Sequence, residues 1–115
     1  MVLVSRRYLR ELVCRTREFL CKNRVTANTA PIVHGLSIAD GKLECCIHTV
    51  SELHVQYVRL ICLMESALEF LHESDILYVK CWIDKIRIAS EAIESIAIDC
   101  LSNGTDRAKL VQLKL

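Results

Sequence analysis

The chain has 115 residues, 52% of them apolar, and 15 Lys and Arg against 14 Asp and Glu leave a net charge of +1. A chain of this size buries about two thirds of its unfolded surface in one core, so a single domain over 1–115 is expected without help from metal or disulfide. Arg59, Glu65 and Glu69 interrupt the richest apolar region before it reaches the ~18–20 residues of a membrane span, so no membrane partner is expected.

Between residues 3 and 22, Leu9, Leu12, Val13, Thr16, Phe19 and Leu20 recur at three- and four-residue steps, which predicts an amphipathic helix. Residues 1–24 carry seven Arg and Lys against two Glu, whereas residues 40–75 carry two against seven Asp and Glu. Two explanations compete: the basic helix lies against the acidic middle of the chain, or it meets an anionic partner. The opening MVLVSRRYLRELV is too short in its apolar run for a secretory signal.

Residues 23–42 collect Pro31, two of the three glycines and several Asn, Thr, Ser and Asp, the composition of a connector with at most a short helical turn. Asp40-Gly41 is also a hairpin signal, with short strands before and after it as an alternative.

From Leu43 a longer pattern begins: Leu43, Ile47, Val50, His54, Tyr57, Ile61, Met64, Leu68 and Leu71 alternate four- and three-residue steps. Thr49-Val50-Ser51-Glu52 is a capping-box pattern, so the helix starts either near 42 or near 50. Cys46, Leu53, Leu60 and Ala67 widen this stripe, and Val55, Cys62, Leu63 and Phe70 form a second apolar sector, as in a helix covered on more than one side. His54 falls on the interior stripe, where a polar group needs a hydrogen-bond partner.

Ser74 or Asp75 can cap the next helix, whose stripe is Ile76, Val79, Ile83, Ile86, Ser90, Ile93, Ala97 and Cys100, ending at Asn103-Gly104. With almost no connector between them, the two long helices must be antiparallel neighbours. Thr105 and Asp106 then begin a short tail helix, RAKLVQLKL. The expected fold is an all-α antiparallel bundle of three main helices plus a short C-terminal helix. The alternative is an α+β arrangement with a small hairpin around residues 36–48.

The seven cysteines form an odd number without framework spacing, and reduced thiols in the cytoplasm, or in the nucleus, are the expectation. Cys46, Cys62 and Cys100 fall on or beside apolar stripes, where burial makes a thiol inert, whereas Cys14, Cys21 and Cys81 are expected to be more exposed. In LECCIHTVSELH, Cys45 and His48 can approach one ligand position on a helix, while Cys46 diverges from Cys45. A structural zinc needs four ligands, His34, His54 or His72 would have to complete the set, and no C-x-x-C occurs, so no metal or cofactor is expected. Glu65 and Glu69, and Glu69 and Glu73, have the four-residue spacing of a solvated helix face. No phosphate loop, nucleophile elbow or zinc-protease motif is present, so no catalytic residue or small-molecule substrate is expected.

Mean hydropathy is +0.29 while aromatics are only 5%, an aliphatic surplus that implies an outer face meeting another copy or another protein. The expected function is that of a non-enzymatic protein–protein interaction module that self-associates or docks into a larger assembly. Its candidate surface is Leu63, Phe70, Leu77, Ile88, Ile98, Val111, Leu113 and Leu115, with packing beneath the first helix as the competing role for Leu63 and Phe70. The alternative is a nucleic-acid-binding protein that tracks phosphates with Arg6, Arg7, Arg10, Arg17 and Arg24. Against it stand the scarce aromatics and the interruption of the basic patch by Glu11 and Glu18.

Overall fold

The computed structural model describes residues 5–22, 25–44, 47–102 and 110–112. Among these residues the order is α1 (Arg6–Cys21), α2 (Ala30–Leu43), β1 (Ile47–Thr49), α3 (Val50–Ala67), a 3-10 turn (Leu68–Phe70), α4 (Glu73–Ser102) and β2 (Leu110–Gln112). The helices pack as a bundle around one apolar cluster to which all four contribute. At about 1.5 Å per residue, the 30 residues of α4 span about 45 Å, nearly the 49 Å long axis of the molecule.

The stripe of α1 is as the spacing predicts: Leu9, Leu12, Val13, Thr16 and Leu20 are buried, and Phe19 packs half-buried against them. Ser5 starts the helix by accepting a hydrogen bond from the Tyr8 amide through its side chain. The hydroxyl of Thr16 donates to the Leu12 carbonyl at 2.8 Å, which removes the cost of burying it.

Most of the connector expected over 23–42 is a second helix instead, α2, and the hairpin at Asp40-Gly41 does not form. Ile32, Leu36, Ala39 and Leu43, at four-, three- and four-residue steps, are all buried, and Pro31 stands in the first turn, where its missing N–H costs nothing. Helical periodicity thus overrides the local turn preference of Asp-Gly.

The start near residue 50 is the correct one for α3. Thr49 accepts from the Glu52 amide at 3.1 Å, and the Glu52 carboxylate accepts from the Thr49 amide at 3.2 Å, a complete capping box. The buried stripe is Val50, Leu53, Tyr57, Leu60, Met64 and Ala67, so that the core lies toward the widened side of the expected stripe. His54 and Ile61 are consequently only half-buried, which corrects the interior placement of His54. In the sector expected to be covered, Val55 and Cys62 are exposed, because among the described residues no helix packs on that side.

Residues 68–72 turn the chain back so that α4 packs against α3, with Val79, Ile83, Ile86, Ser90 and Ile93 buried as expected. Asp75 is no cap: α4 starts at Glu73, and the amides of Asp75 and Ile76 already donate to the His72 carbonyl. The expected tail helix is contradicted at residues 110–112. They form β2, antiparallel to β1, with Ile47 opposite Gln112, His48 opposite Val111 and Thr49 opposite Leu110. Val111 is β-branched and suits the extended backbone that pairing requires.

The basic first helix does lie against acidic residues of the middle segment. Arg10 Nε is 2.9 Å from Asp40 Oδ1 and its Nη2 is 3.5 Å from Glu44 Oε1, while Lys22 Nζ is 3.3 Å from Asp75 Oδ2. The hydrogen bond that Arg10 donates to Asp40, and then the charge of Asp40, raise the pKa of the Arg10 guanidinium above its ordinary value. Phe19 stacks on Trp82 with ring centroids 5.8 Å apart, closing α1 onto α4.

Candidate protein-binding surface

The buried stripe of α4 fixes what its opposite face presents. Leu77 and Ile88 lie on that outward face, 74% and 61% exposed, with exposed Cys81 and Asp84 between them at four-, three- and four-residue steps. Eleven residues of helix place the two aliphatic side chains about 16 Å apart along one line. Leaving a Leu or Ile in water forfeits about 1.5–3 kcal/mol relative to burial, so a partner that covers both gains from each.

Polar residues border this stripe. On the α3 side a shallow groove of about 370 Å³ is lined by Glu65, Leu68, Lys80, Ile83, Asp84 and Arg87. There Arg87 pairs with Glu65 across the helices and stands 3.7 Å from Asp84. On the α1 side, Lys85 Nζ donates to the Tyr8 hydroxyl at 3.1 Å and lies 5.5 Å from the centre of the Tyr8 ring. That hydrogen bond is the largest cause of the raised pKa of Lys85. Tyr78, 60% exposed, adds aromatic surface beside Trp82.

Of the other expected surface residues, the two whose side chains are described, Leu63 and Phe70, do not join this stripe. Both are half-buried and pack on the core, Leu63 facing Gly35 of α2, whereas the competing role expected for them was packing beneath the first helix. Ile98 lies within α4 and Val111 within β2, with side chains outside the described set, and Leu113 and Leu115 lie outside the described residues. Tyr78 escaped the sequence reasoning, and Cys81, exposed as expected, was not placed on this surface. The spacing from Leu77 to Ile88 is the signal that finds Cys81; nothing local marks Tyr78. A second exposed apolar strip, Val55, Val58 and Cys62, runs along α3.

The arginines of α1 are largely engaged within the chain. Arg6 Nη1 donates to the Glu44 carbonyl at 2.6 Å, Arg10 holds Asp40, and Arg17 Nη1 donates to Ser37 Oγ at 3.0 Å. Arg7 is exposed, and Arg24 lies outside the described residues. An open groove of about 630 Å³ beside them is lined by Arg6, Arg7, Arg10, Glu11, Cys14 and Asp40, so its charge is mixed.

Cys14 is half-buried, Cys21, Cys62 and Cys81 are exposed, and Cys62 thereby departs from the buried position expected for it. Cys45 and Cys46 lie outside the described residues, and His48 is in β1, not on a helix. Among the described residues no three His, Cys, Asp or Glu side chains stand together as a metal-ligand set, and no helix is long and apolar enough to cross a membrane. No protein-family model, curated protein or solved structure matches the chain.

Proposed function

We propose that this protein is a non-enzymatic interaction module whose outward α4 face binds protein. The observation that carries the reading is the exposure of Leu77 and Ile88 on one line of a helix whose opposite side is packed from Val79 to Ile93. A helix face with apolar anchors at such spacing, edged by charges, suits a groove or a second helix on the partner. Reduced cysteines fit the same reading, with the cytoplasm or the nucleus as the place of work. Phosphate binding by α1 ranks below it, because Arg10 and Arg17 already hold Asp40 and Ser37.

The experiment is site-specific photo-crosslinking. A photoreactive residue in place of Ile88 is expected to capture a defined protein, whereas one in place of exposed Lys42 on α2 is not. Capture from neither position, with a mass in solution equal to that of one chain, overturns the reading.

A further inference from the structure

The exposed line on α4 has the same spacing in both directions: Leu77, Cys81, Asp84 and Ile88 are separated by four, three and four residues. A two-fold axis perpendicular to the helix, midway between Cys81 and Asp84, therefore maps this spacing onto its own reverse. A second α4 laid antiparallel across the first brings Leu77 of each copy against Ile88 of the other, an isologous contact. Alternating three- and four-residue steps are also the seam along which two helices pack.

The charges obey the same symmetry. Lys80 and Asp84 both line the α3 side of the stripe, and in an antiparallel pair residues on the same flank face each other. Lys80 of one copy then lies one residue, about 1.5 Å of rise, from the level of Asp84 of the other, within reach of an ion pair, and the pairing occurs twice. Asp84 is available for it: its side chain is 73% exposed, and Arg87 approaches it no closer than 3.7 Å. The α3 strip offers less, since Val55 and Val58 are 50% and 42% exposed.

We propose that the occupant of this face is a second copy of the chain, docked α4 to α4 antiparallel about that axis. This rests on the protein-binding reading above and names its partner. Two aliphatic pairs and two ion pairs make a small interface, so the dimer forms in a concentration-dependent equilibrium.

Sedimentation equilibrium of the full chain over a concentration series tests it. The unaltered protein is expected to dimerise reversibly, and Leu77→Asp to raise the dissociation constant at least tenfold. Asp84→Lys and Lys80→Glu each set like charges against one another twice, so each alone is expected to weaken the dimer by a similar factor. An equimolar mixture of these two variants restores both ion pairs and is expected to regain the dimer, which a folding defect would not allow. A chain monomeric throughout, a dimer indifferent to the variants, or a mixture that fails to recover overturns the proposal. A monomer that still captures a different protein from position 88 removes the second copy and leaves the protein-binding reading standing; one that captures nothing removes both.

Discussion

Gly35 of α2 lies so close to Leu63 of α3 that a Cβ in its place would come within 2.8 Å of Leu63 Cδ2. The absence of a side chain at Gly35 lets the two helices approach, and the half-buried Leu63 fills the space. Gly41, in the last turn of the same helix, has nothing within 4 Å of that position.

The two glycines therefore respond differently to substitution. Gly41→Ala is expected to stabilise by about 0.5–1 kcal/mol, because it removes backbone freedom from the unfolded chain at no steric cost. Gly35→Ala forfeits that gain by displacing Leu63, and Gly35→Leu is expected to cost about 1–3 kcal/mol through overpacking. Urea denaturation midpoints compare the three; equal stabilisation by both alanines would contradict the close approach.

Tyr57 is fully buried, and its hydroxyl has no hydrogen-bond partner among the described residues. Burial pushes its pKa up to about 12 from 10.0. Because the folded pKa is the higher one, stability from this group is fully present below pH 10 and declines as pH rises from 10 toward 12, where the unfolded chain ionises first. Tyr57→Phe is expected to stabilise the protein at pH 7 by about 1 kcal/mol by removing an unsatisfied group, and to flatten the alkaline decline. Thermal melts of both proteins at pH 8 to 12 decide it; identical alkaline profiles would rule it out.

Thr49 holds the first turn of α3 through its side chain. Thr49→Ala is expected to cost about 1 kcal/mol, and Thr49→Ser much less, since serine retains the acceptor. Equal losses in guanidinium denaturation would show that the hydroxyl does not cap the helix.

Two ion pairs of α1 are expected to differ in weight. Glu11 and Arg15 are both about half exposed, so Arg15→Ala should cost about 0–0.5 kcal/mol. Lys22 faces a carboxylate only 8% exposed, and Lys22→Ala leaves Asp75 desolvated without a counter-charge, at a cost of about 1–2 kcal/mol. Salt titration of the melting temperatures separates them further, the exposed pair being the more easily screened.

The stripes of α1 and α4 were legible because each meets the core along one face, so spacing alone identifies Leu9, Val13, Ile83 and Ile93 as interior. In α3 the ambiguity was physical: with Val55 and Leu63 apolar as well as Val50 and Leu53, several stripes satisfy the same periodicity, and only the neighbours that pack decide among them. The second helix was hidden by Pro31, Gly35 and Asp40-Gly41, whose local preferences yield to the burial of Ile32, Leu36 and Leu43. Strand β2 could not be found from RAKLVQLKL, since its partner is the distant β1. Of the binding face, Leu77 and Ile88 stood out as aliphatics off the stripe, while Tyr78 depended on how α1 and α4 meet.

Because His48 and Val111 oppose each other in the β1–β2 ladder, the chain closes a ring that contains α3 and α4 and leaves α1 and α2 outside it. Closing so long a ring is entropically costly until the two long helices have docked and brought its ends together. The ladder is thus expected to form after the α3–α4 contact and to open before it. In pulse-labelled refolding its amides gain protection from exchange after those of α3 and α4, so that a clasp only three residues wide reports when the helical hairpin is complete.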